Sequence, residues 1–462
     1  MVVLTGCATY SVRVVELRPE LAMGDFEAAL ETLDKTHGVK NMLLYYLEKG
    51  LILHYADRWQ ESNDFFQIAE NLAADSYTKS ISEGAISLFT SDNAIVYRAD
   101  PFELAMVPFY RALNYIYLNE PEEALVEARK AGLYLKQFTD LNLASVGEEH
   151  QQRTAAELLY NNAFLQYFSA MLYESGGEVN NAFIAYRNAA GAYQIAAQAL
   201  SVQMPPWMGK DLYRTGWRLG FGEELNRLRS LYPELLSAEN DSMIHHSGPR
   251  GEVVLLLEFG YVASKVQNEI NIPILERDDY DDYNDWAYQL SLRAEPGWQV
   301  PNGSKIKYWL RVALPEMVDE PPLVQQVRLS AGTATDHTVS VIVDNISARA
   351  RLKFEAEAGG ILLKTIARAL AKYVAKEKAD DLDETVGTLV NIFGAATETA
   401  DTRSWLTLPH SIGMARLSLS PGTYDLRVDL VGRRGQPVST ETIVGVTVAE
   451  GDWQFLSRRV FD

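Results

Sequence analysis

The spacing of apolar residues changes once along the chain, close to residue 250. Before this point they recur three and four positions apart, as at Phe66 and Ala69, which is the spacing of helices that bury one face. After it they alternate with polar residues, as at Tyr308, Leu310 and Val312, which is the period of strands with one buried face. The pattern therefore predicts a multidomain α+β protein, with helices first and strands second.

Four segments of the helical half share a turn followed by a helix start. They begin at Gly24, Asp57, Asn119 and Gly177. Each carries a small residue where the two helices of a hairpin approach closely, namely Ala29, Ser62, Ala124 and Ala182. The segments resemble tetratricopeptide repeats, whose period is about 34 residues. Only the first two lie one such period apart, so we expect a degenerate tetratricopeptide-like α-solenoid over residues 20–240.

The strand-patterned half is expected to form a β-sandwich-like domain over residues 252–462. Its last segments, with turns at Pro421-Gly422 and Gly451-Asp452, resemble the final hairpin of transthyretin-like and immunoglobulin-like sandwiches. A helical insertion is predicted at about residues 346–396, with a break at Gly359-Gly360 and a second helix at Glu384–Ala395. Residues 241–251 are predicted to be the linker between the two domains.

The chain has one cysteine, Cys7, which follows Leu4-Thr5-Gly6. This string resembles the lipobox of bacterial lipoproteins, in which the cysteine carries a diacylglycerol. The resemblance implies that residues 1–19 comprise a residual signal peptide, the lipobox and a tether, and that Cys7 is the lipid attachment site. Ala8 follows instead of an aspartate, which by analogy with enterobacterial sorting implies the outer membrane. The stretch before Cys7 is shorter than a signal peptide's apolar region, so a buried thiol remains the alternative.

Charge and hydropathy narrow the classes of partner. The formal net charge is -20 and the pI is about 4.9, so the protein's field repels nucleic-acid phosphates. We expect no nucleic-acid binding. The longest purely apolar stretch, Val253 to Leu257, is far shorter than the ~20 residues that span a bilayer. Membrane contact is therefore expected only through the lipid anchor.

Several short strings in the second half carry a family resemblance. They are Phe259-Gly260 with Lys265, Ile272-Pro273-Ile274, Asn345-Ile346-Ser347, Ala369-Leu370-Ala371-Lys372-Tyr373, Asp401-Thr402-Arg403-Ser404-Trp405 and Leu408-Pro409. With the lipobox and the repeats, they resemble a family of poorly characterised tetratricopeptide-containing bacterial lipoproteins. The resemblance implies a periplasm-facing scaffold or structural subunit of an outer-membrane assembly. It names envelope proteins as partners, among them a lipoprotein similar to the curli secretion channel, and it implies no catalytic residues and no cofactor.

Two local features are candidate sites. Arg403, Trp405 and Pro409 are residue types common at interaction hot spots, although Trp405 can instead fill the core and Arg403 can pair with a carboxylate. A dense acidic cluster offers hard oxygen ligands for Ca²⁺, although its spacing does not match an EF-hand loop and a solvated acidic loop is the alternative. The cluster consists of Asp278, Asp279, Asp281, Asp282 and Asp285.

Phosphate-loop, zinc-helix and nucleophile-elbow motifs are absent from the sequence, so we predict a protein that is not an enzyme. Two other functions stay open. One is a module that binds or hydrolyses cell-wall glycans with an acidic pair such as Asp278 and Asp285. The other is a binder of small ligands in a pocket of the β domain.

Overall fold

The computed structural model describes residues 10–35, 38–78, 96–145, 150–233, 249–278, 282–332, 337–380 and 399–461. Helices form the first half, and strands with two further helices form the second, which confirms the predicted class of mixed helices and strands at this level. Cys7, Asp279 and Asp281 lie outside the described residues. So do the predicted helix Glu384–Ala395 and most of the predicted linker, and the domain boundaries stay predictions.

The first half consists of short helices and helical hairpins. The helices are α1 (Tyr10–Val15), α2 (Arg18–Ala22), α3 (Phe26–Asp34), α4 (Met42–Tyr55), α5 (Trp59–Thr78), α6 (Pro101–Leu104), α7 (Met106–Tyr117), α8 (Pro121–Ser145), α9 (His150–Tyr160), α10 (Ala163–Ser175), α11 (Val179–Ala199), α12 (Met208–Arg218) and α13 (Gly222–Leu231), with a 3-10 turn at Val39–Asn41. Among the described residues, no helix combines the length and hydropathy needed to cross a membrane.

One turn geometry repeats between the helices of the hairpins. The first residue of each sequence motif has a positive φ, +74° at Gly24, +58° at Asp57, +61° at Asn119 and +78° at Gly177. The following amide then donates a hydrogen bond of 2.8–3.0 Å to the carbonyl five residues earlier, as at a helix end closed by a left-handed residue. The same geometry recurs at Gly220, where it divides α12 from α13.

Small residues lie where paired helices approach. The Ser62 hydroxyl donates to the Gly50 carbonyl at 2.6 Å, across α4 and α5. A Cβ at Gly50 would lie 2.7 Å from the ring of Phe66, so glycine is needed there. Ala124 and Ala182 are buried at the corresponding places of α8 and α11.

The described residues of the second half form ten strands. They are β1 (Gly251–Phe259), β2 (Ser264–Leu275), β3 (Ile306–Val318), β4 (Val324–Ala331), β5 (His337–Val339), β6 (Val341–Asn345), β7 (Ser411–Leu419), β8 (Gly422–Gly432), β9 (Pro437–Val448) and β10 (Trp453–Val460). The inner sheet has the order β10-β1-β7-β6, the outer sheet β5-β4-β8-β9, and β2 and β3 form a separate ribbon. The pair β1–β10 is parallel, and the other pairs are antiparallel.

The inner sheet is covered on both faces. Val253, Leu255 and Leu257 of β1 lie in a core shared with the outer sheet. Val254 and Leu256 point the other way, into a core shared with the helices of the first half. Burial on both faces explains why β1 is continuously apolar at these positions.

Two further helices, α14 (Tyr283–Arg293) and α15 (Ile346–Asp380), pack on the ribbon. Leu290 of α14 and Ile366 of α15 share a core with Val312 of β3. The predicted break at Gly359-Gly360 is wrong, since α15 runs through both glycines. Packing of the helix on either side of the pair outweighs a propensity cost of about 1 kcal/mol per glycine.

Candidate functional site

Three tyrosines of α4 and α7 contact the inner sheet. Tyr55 and Tyr110 each donate a hydrogen bond of 2.7 Å to Glu258 Oε2, which lies on β1 and is 1 % exposed. Tyr117 donates to Ser457 Oγ of β10 at 2.8 Å. Burial raises the pKa of all three phenols, so they stay protonated donors. The face formed by these first helices of the hairpins is therefore occupied by the chain's own sheet.

A buried ion-pair network joins α12 to the inner sheet. Arg416 of β7 lies 2.7 Å from Asp211 Oδ2 and 2.7 Å from Glu252 Oε2. Asp211 also accepts from Tyr167 at 2.6 Å and pairs with Arg214 at 2.7 Å. Burial raises the pKa of Asp211, but Arg416 and Arg214 outweigh it and hold that pKa below its ordinary value. The carboxylate is charged and fully partnered.

Two buried carboxylates hold the segment that precedes β7. Glu48 of α4 accepts from the amides of Leu406 and Thr407 at 2.8 and 3.1 Å. Glu103 of α6 accepts from the amide of Trp405 at 2.7 Å. Burial raises the pKa of each carboxyl to about 7, against the lowering effect of these donors. Three successive backbone amides are thus bound by side chains of the helical half.

This segment contains the predicted interaction residues. Trp405 is 0 % exposed, and its ring lies 5.9 Å from that of Phe66. Arg403 is 4 % exposed and pairs with Asp401 at 2.7 Å, and Pro409 is buried. The structure brings the three residues to the junction of helices and sheet, where they contact the chain itself. Trp405 lies in the core between helices and inner sheet, not between the two sheets.

The predicted acidic cluster is dispersed over separate roles. Asp278 pairs with Arg293 at 2.5 Å, and although its burial acts in the opposite direction, the hydrogen bonds from Arg293 keep its pKa below its ordinary value. Asp282 caps α14 by accepting from the Asn284 amide at 2.6 Å, and Asp285 is exposed in the first turn of that helix. Within the described ranges, no three histidine, cysteine or acidic side chains are arranged to hold a metal ion.

A cavity of about 220 Å³ lies beside the segment, at the meeting point of helices, ribbon and sheet; we call it the junction cavity. Its charged lining residues are Asp100, Glu103, Lys265, Lys353, Glu357, Arg368 and Asp401. Its apolar wall includes Phe102, Val262, Ala313, Met317, Phe354, Ile361 and Leu408.

Ion pairs within the lining account for most of these charges. Lys353 lies 3.5 Å from Asp100 Oδ1 and also contacts Glu357. Burial lowers the pKa of Lys353, but the two carboxylates more than offset this and raise it, so the lysine is charged. Asp401 is paired with Arg403. The predicted interaction residues, from Arg403 to Pro409, lie along one edge of the cavity. The rest of the lining was not predicted, because it comes from five segments far apart in the chain.

Comparisons with known proteins assign no family. No protein-family model and no curated protein matches the chain. Among solved structures, the crystal structure of BtubC (BKLC) from P. vanneervenii is similar at 15% sequence identity, with a TM-score of 0.31. The match covers 52% of this chain and 91% of that chain. A likeness at this level carries no argument about the fold or the function of this protein.

Proposed function

We propose that this chain is a lipoprotein of the bacterial outer membrane, anchored through Cys7 and facing the periplasm, that serves as a scaffold or structural subunit of an envelope assembly. It binds other envelope proteins, with a lipoprotein similar to the curli secretion channel as a candidate partner. It performs no catalysis and uses no cofactor. Its first half is a degenerate tetratricopeptide-like solenoid, and its second half is a β-sandwich-like domain with the helical insertion.

The recurring turn supports the solenoid assignment. The left-handed residue and the hydrogen bond behind it recur at Gly24, Asp57, Asn119 and Gly177, at the same motif position each time. Small residues at the helix crossings allow the close packing that such repeats need. The fifth turn, at Gly220, extends the array to α13.

The observation that carries the scaffold function is the continuous core between helices and sheet. Buried polar contacts, such as those of Glu258 with Tyr55 and Tyr110, fix the two halves to each other. A body joined in this way presents a constant outer surface to its partners. Because the first helices are covered by the sheet, we place partner binding on the second helices, where α8 exposes Val126 and Leu133.

The test starts from the full-length gene product in its native envelope. Metabolic labelling with a palmitate analogue is expected to mark the wild type and not Cys7→Ala. Cross-linking followed by mass spectrometry is expected to recover partner proteins, and Leu133→Glu is expected to reduce their yield. Equal lipid labelling of wild type and Cys7→Ala contradicts the anchor. Recovery of the monomer alone contradicts the scaffold.

A further inference from the structure

A groove of about 750 Å³ lies on the surface of the helical array, between α8, α10, α11 and α13; we call it the α8–α11 groove. Its lining includes Ile184 and Ile195 of α11 and Leu231 of α13, and all three side chains are exposed. Leu133 of α8 follows the lining residue Gly132 and is also exposed. The groove is therefore an apolar surface that no described part of the chain covers.

The floor of the groove contains two glycines that lie inside helices. They are Gly132 of α8 and Gly191 of α11, and glycine is less favourable than alanine in the interior of a helix. At Gly50, where α4 and α5 pack, the ring of Phe66 leaves no room for a Cβ. A Cβ at Gly132 would have no atom of the described residues within 4 Å. Packing within the described chain therefore does not require this glycine, whereas the close approach of a helix from outside does.

The rim of the groove carries more positive than negative charge. Its charged lining residues are Lys136, Arg187, Arg227 and Asp140. Glu224, outside the lining, lies 2.7 Å from Arg227 and 3.5 Å from Arg187, so it offsets one of these two cations. Lys136 is exposed and makes no ion pair or hydrogen bond with the described residues. In a chain with a net charge of -20, this cationic rim favours an acidic partner.

We propose that the α8–α11 groove binds an acidic amphipathic helix of a partner protein. The apolar face of that helix lies on Ile184, Ile195 and Leu231, its backbone lies close to Gly132, and one of its carboxylates pairs with Lys136. A helix with apolar residues three and four positions apart presents such a face to a groove. This inference rests on the proposed scaffold function, and it names the binding site on the second helices and the chemistry of the partner.

The test is fluorescence anisotropy of the intact protein with a labelled peptide of about 20 residues, a length that allows a helix in water. The peptide carries leucine and alanine on one face and glutamate on the other, and a second peptide has lysine in place of each glutamate. The glutamate peptide is expected to bind about tenfold more tightly than the lysine peptide. Lys136→Glu is expected to remove this preference. Lys40→Glu makes the same change of charge at an exposed lysine outside the groove and is the control, with the preference unchanged.

Gly132→Leu tests the close approach of the bound helix. It is expected to weaken binding of the glutamate peptide about tenfold, because the new side chain occupies the space above α8. Gly359→Leu is the matched control, since Gly359 lies inside α15 and also has no atom of the described residues within 4 Å of a Cβ. It should leave binding unchanged. Thermal unfolding of both variants without peptide shows whether each one folds.

Three results overturn the proposal. They are the absence of binding of the glutamate peptide at millimolar concentration, equal affinity for the two peptides, and equal affinity of Gly132→Leu and the wild type for the glutamate peptide. A wild-type protein that sediments as a dimer, with Ile184→Glu as a monomer, would also overturn it, because a second copy then occupies the groove. The scaffold is tested separately, by cross-linking in the native envelope, so partners recovered there without peptide binding would contradict this inference alone.

Discussion

The two faces of the inner sheet are built from different chemistry, although the same strands supply both. On the face toward the outer sheet, β1 contributes Val253, Leu255 and Leu257 to a core of apolar side chains. On the face toward the helices, Val254 and Leu256 are flanked by Glu252 and Glu258, and Arg416 of β7 pairs with Asp211 of α12 and with Glu252.

The two faces therefore contribute differently to the stability of the fold and to the position of the sheet on the helices. Apolar burial is non-directional and depends mainly on area and volume, so the contact between the sheets tolerates side chains of similar size. A buried charge costs several kcal/mol unless its partner lies in the right place. We therefore expect the face toward the helices to fix one position of the sheet on the array, and the face toward the outer sheet to supply stability without that restriction.

The largest expected effect on stability comes from replacing Arg416, the central cation of the buried ion-pair network. Arg416→Met leaves Glu252 unpaired and Asp211 with Arg214 alone, and it is expected to lower the free energy of unfolding by about 3–5 kcal/mol. Urea unfolding followed by circular dichroism measures the loss. Combining it with Glu252→Gln is expected to recover part of the stability, because the carboxylate that lost its ion pair is then neutral. A loss below about 1 kcal/mol would remove the distinction between the two faces.

Shortening a side chain on the opposite face, toward the outer sheet, is expected to lower the free energy of unfolding slightly less. Leu255→Ala should lower the free energy of unfolding by about 2–5 kcal/mol, through lost burial and the space left behind. The loss should be the same at low and high salt, because no charge is removed. Leu255→Met is the volume-conserving control and should cost less than about 1.5 kcal/mol. A strong salt dependence of the Leu255→Ala loss would contradict the non-directional character of this face.

Glu48 is expected to make the free energy of unfolding depend on pH. Its pKa is about 7 in the folded protein and near 4.5 in the unfolded chain, so the folded state binds the proton more tightly. This contribution is complete below about pH 4.5 and is lost as the pH rises through about 7. The loss amounts to about 3 kcal/mol.

Glu48→Gln is expected to remove this part of the pH dependence when the free energy of unfolding is measured between pH 4.5 and 8. Glu122→Gln, which changes an exposed carboxylate, is the control and should keep the wild-type slope. If the free energy of unfolding changes with pH in the same way for Glu48→Gln and the wild type, the pKa of Glu48 does not differ between the folded and the unfolded chain.

The smallest expected effect concerns the tyrosines on Glu258. Tyr55→Phe or Tyr110→Phe removes one of two donors to the same oxygen and should cost about 1.5 kcal/mol each. The double variant should lose more than the sum, because the buried carboxylate then loses both bonds. Tyr288→Phe, at an exposed phenol, should change stability by less than about 0.5 kcal/mol. Strict additivity of the two single losses would indicate that Glu258 finds another partner.

Features that depend on local sequence were predictable. The turns that begin at Gly24, Asp57, Asn119 and Gly177 are examples. Each shows in the sequence as a residue that tolerates a left-handed conformation, followed five positions later by a small residue. The fifth turn was missed because Leu225 stands where the other motifs have a small residue. Gly216 provides the space instead, since a Cβ there would lie 2.8 Å from the Leu225 side chain.

Features set by packing were not predictable from the pattern. Val339, Val341 and Val343 alternate with other residues as in a single strand. In the structure, Ser340 divides this stretch between the two sheets, and its amide donates to the Val327 carbonyl at 2.8 Å. The acidic stretch was interpreted as a loop, whereas Asp282 caps α14. The junction cavity could not be predicted, because its lining residues come together only when the ribbon, α15 and the helices of the first half are in place.

The parallel pairing of β10 with β1 has a consequence for the order of synthesis. The helices through Leu231 leave the ribosome long before Trp453, the first residue of the strand that completes the inner sheet. At about 5–20 residues per second this interval lasts some tens of seconds. During it, Tyr117 and its neighbours lack the surface that later covers them. The side of the helices that faces the sheet therefore stays exposed to solvent until the last residues of the chain have been synthesised.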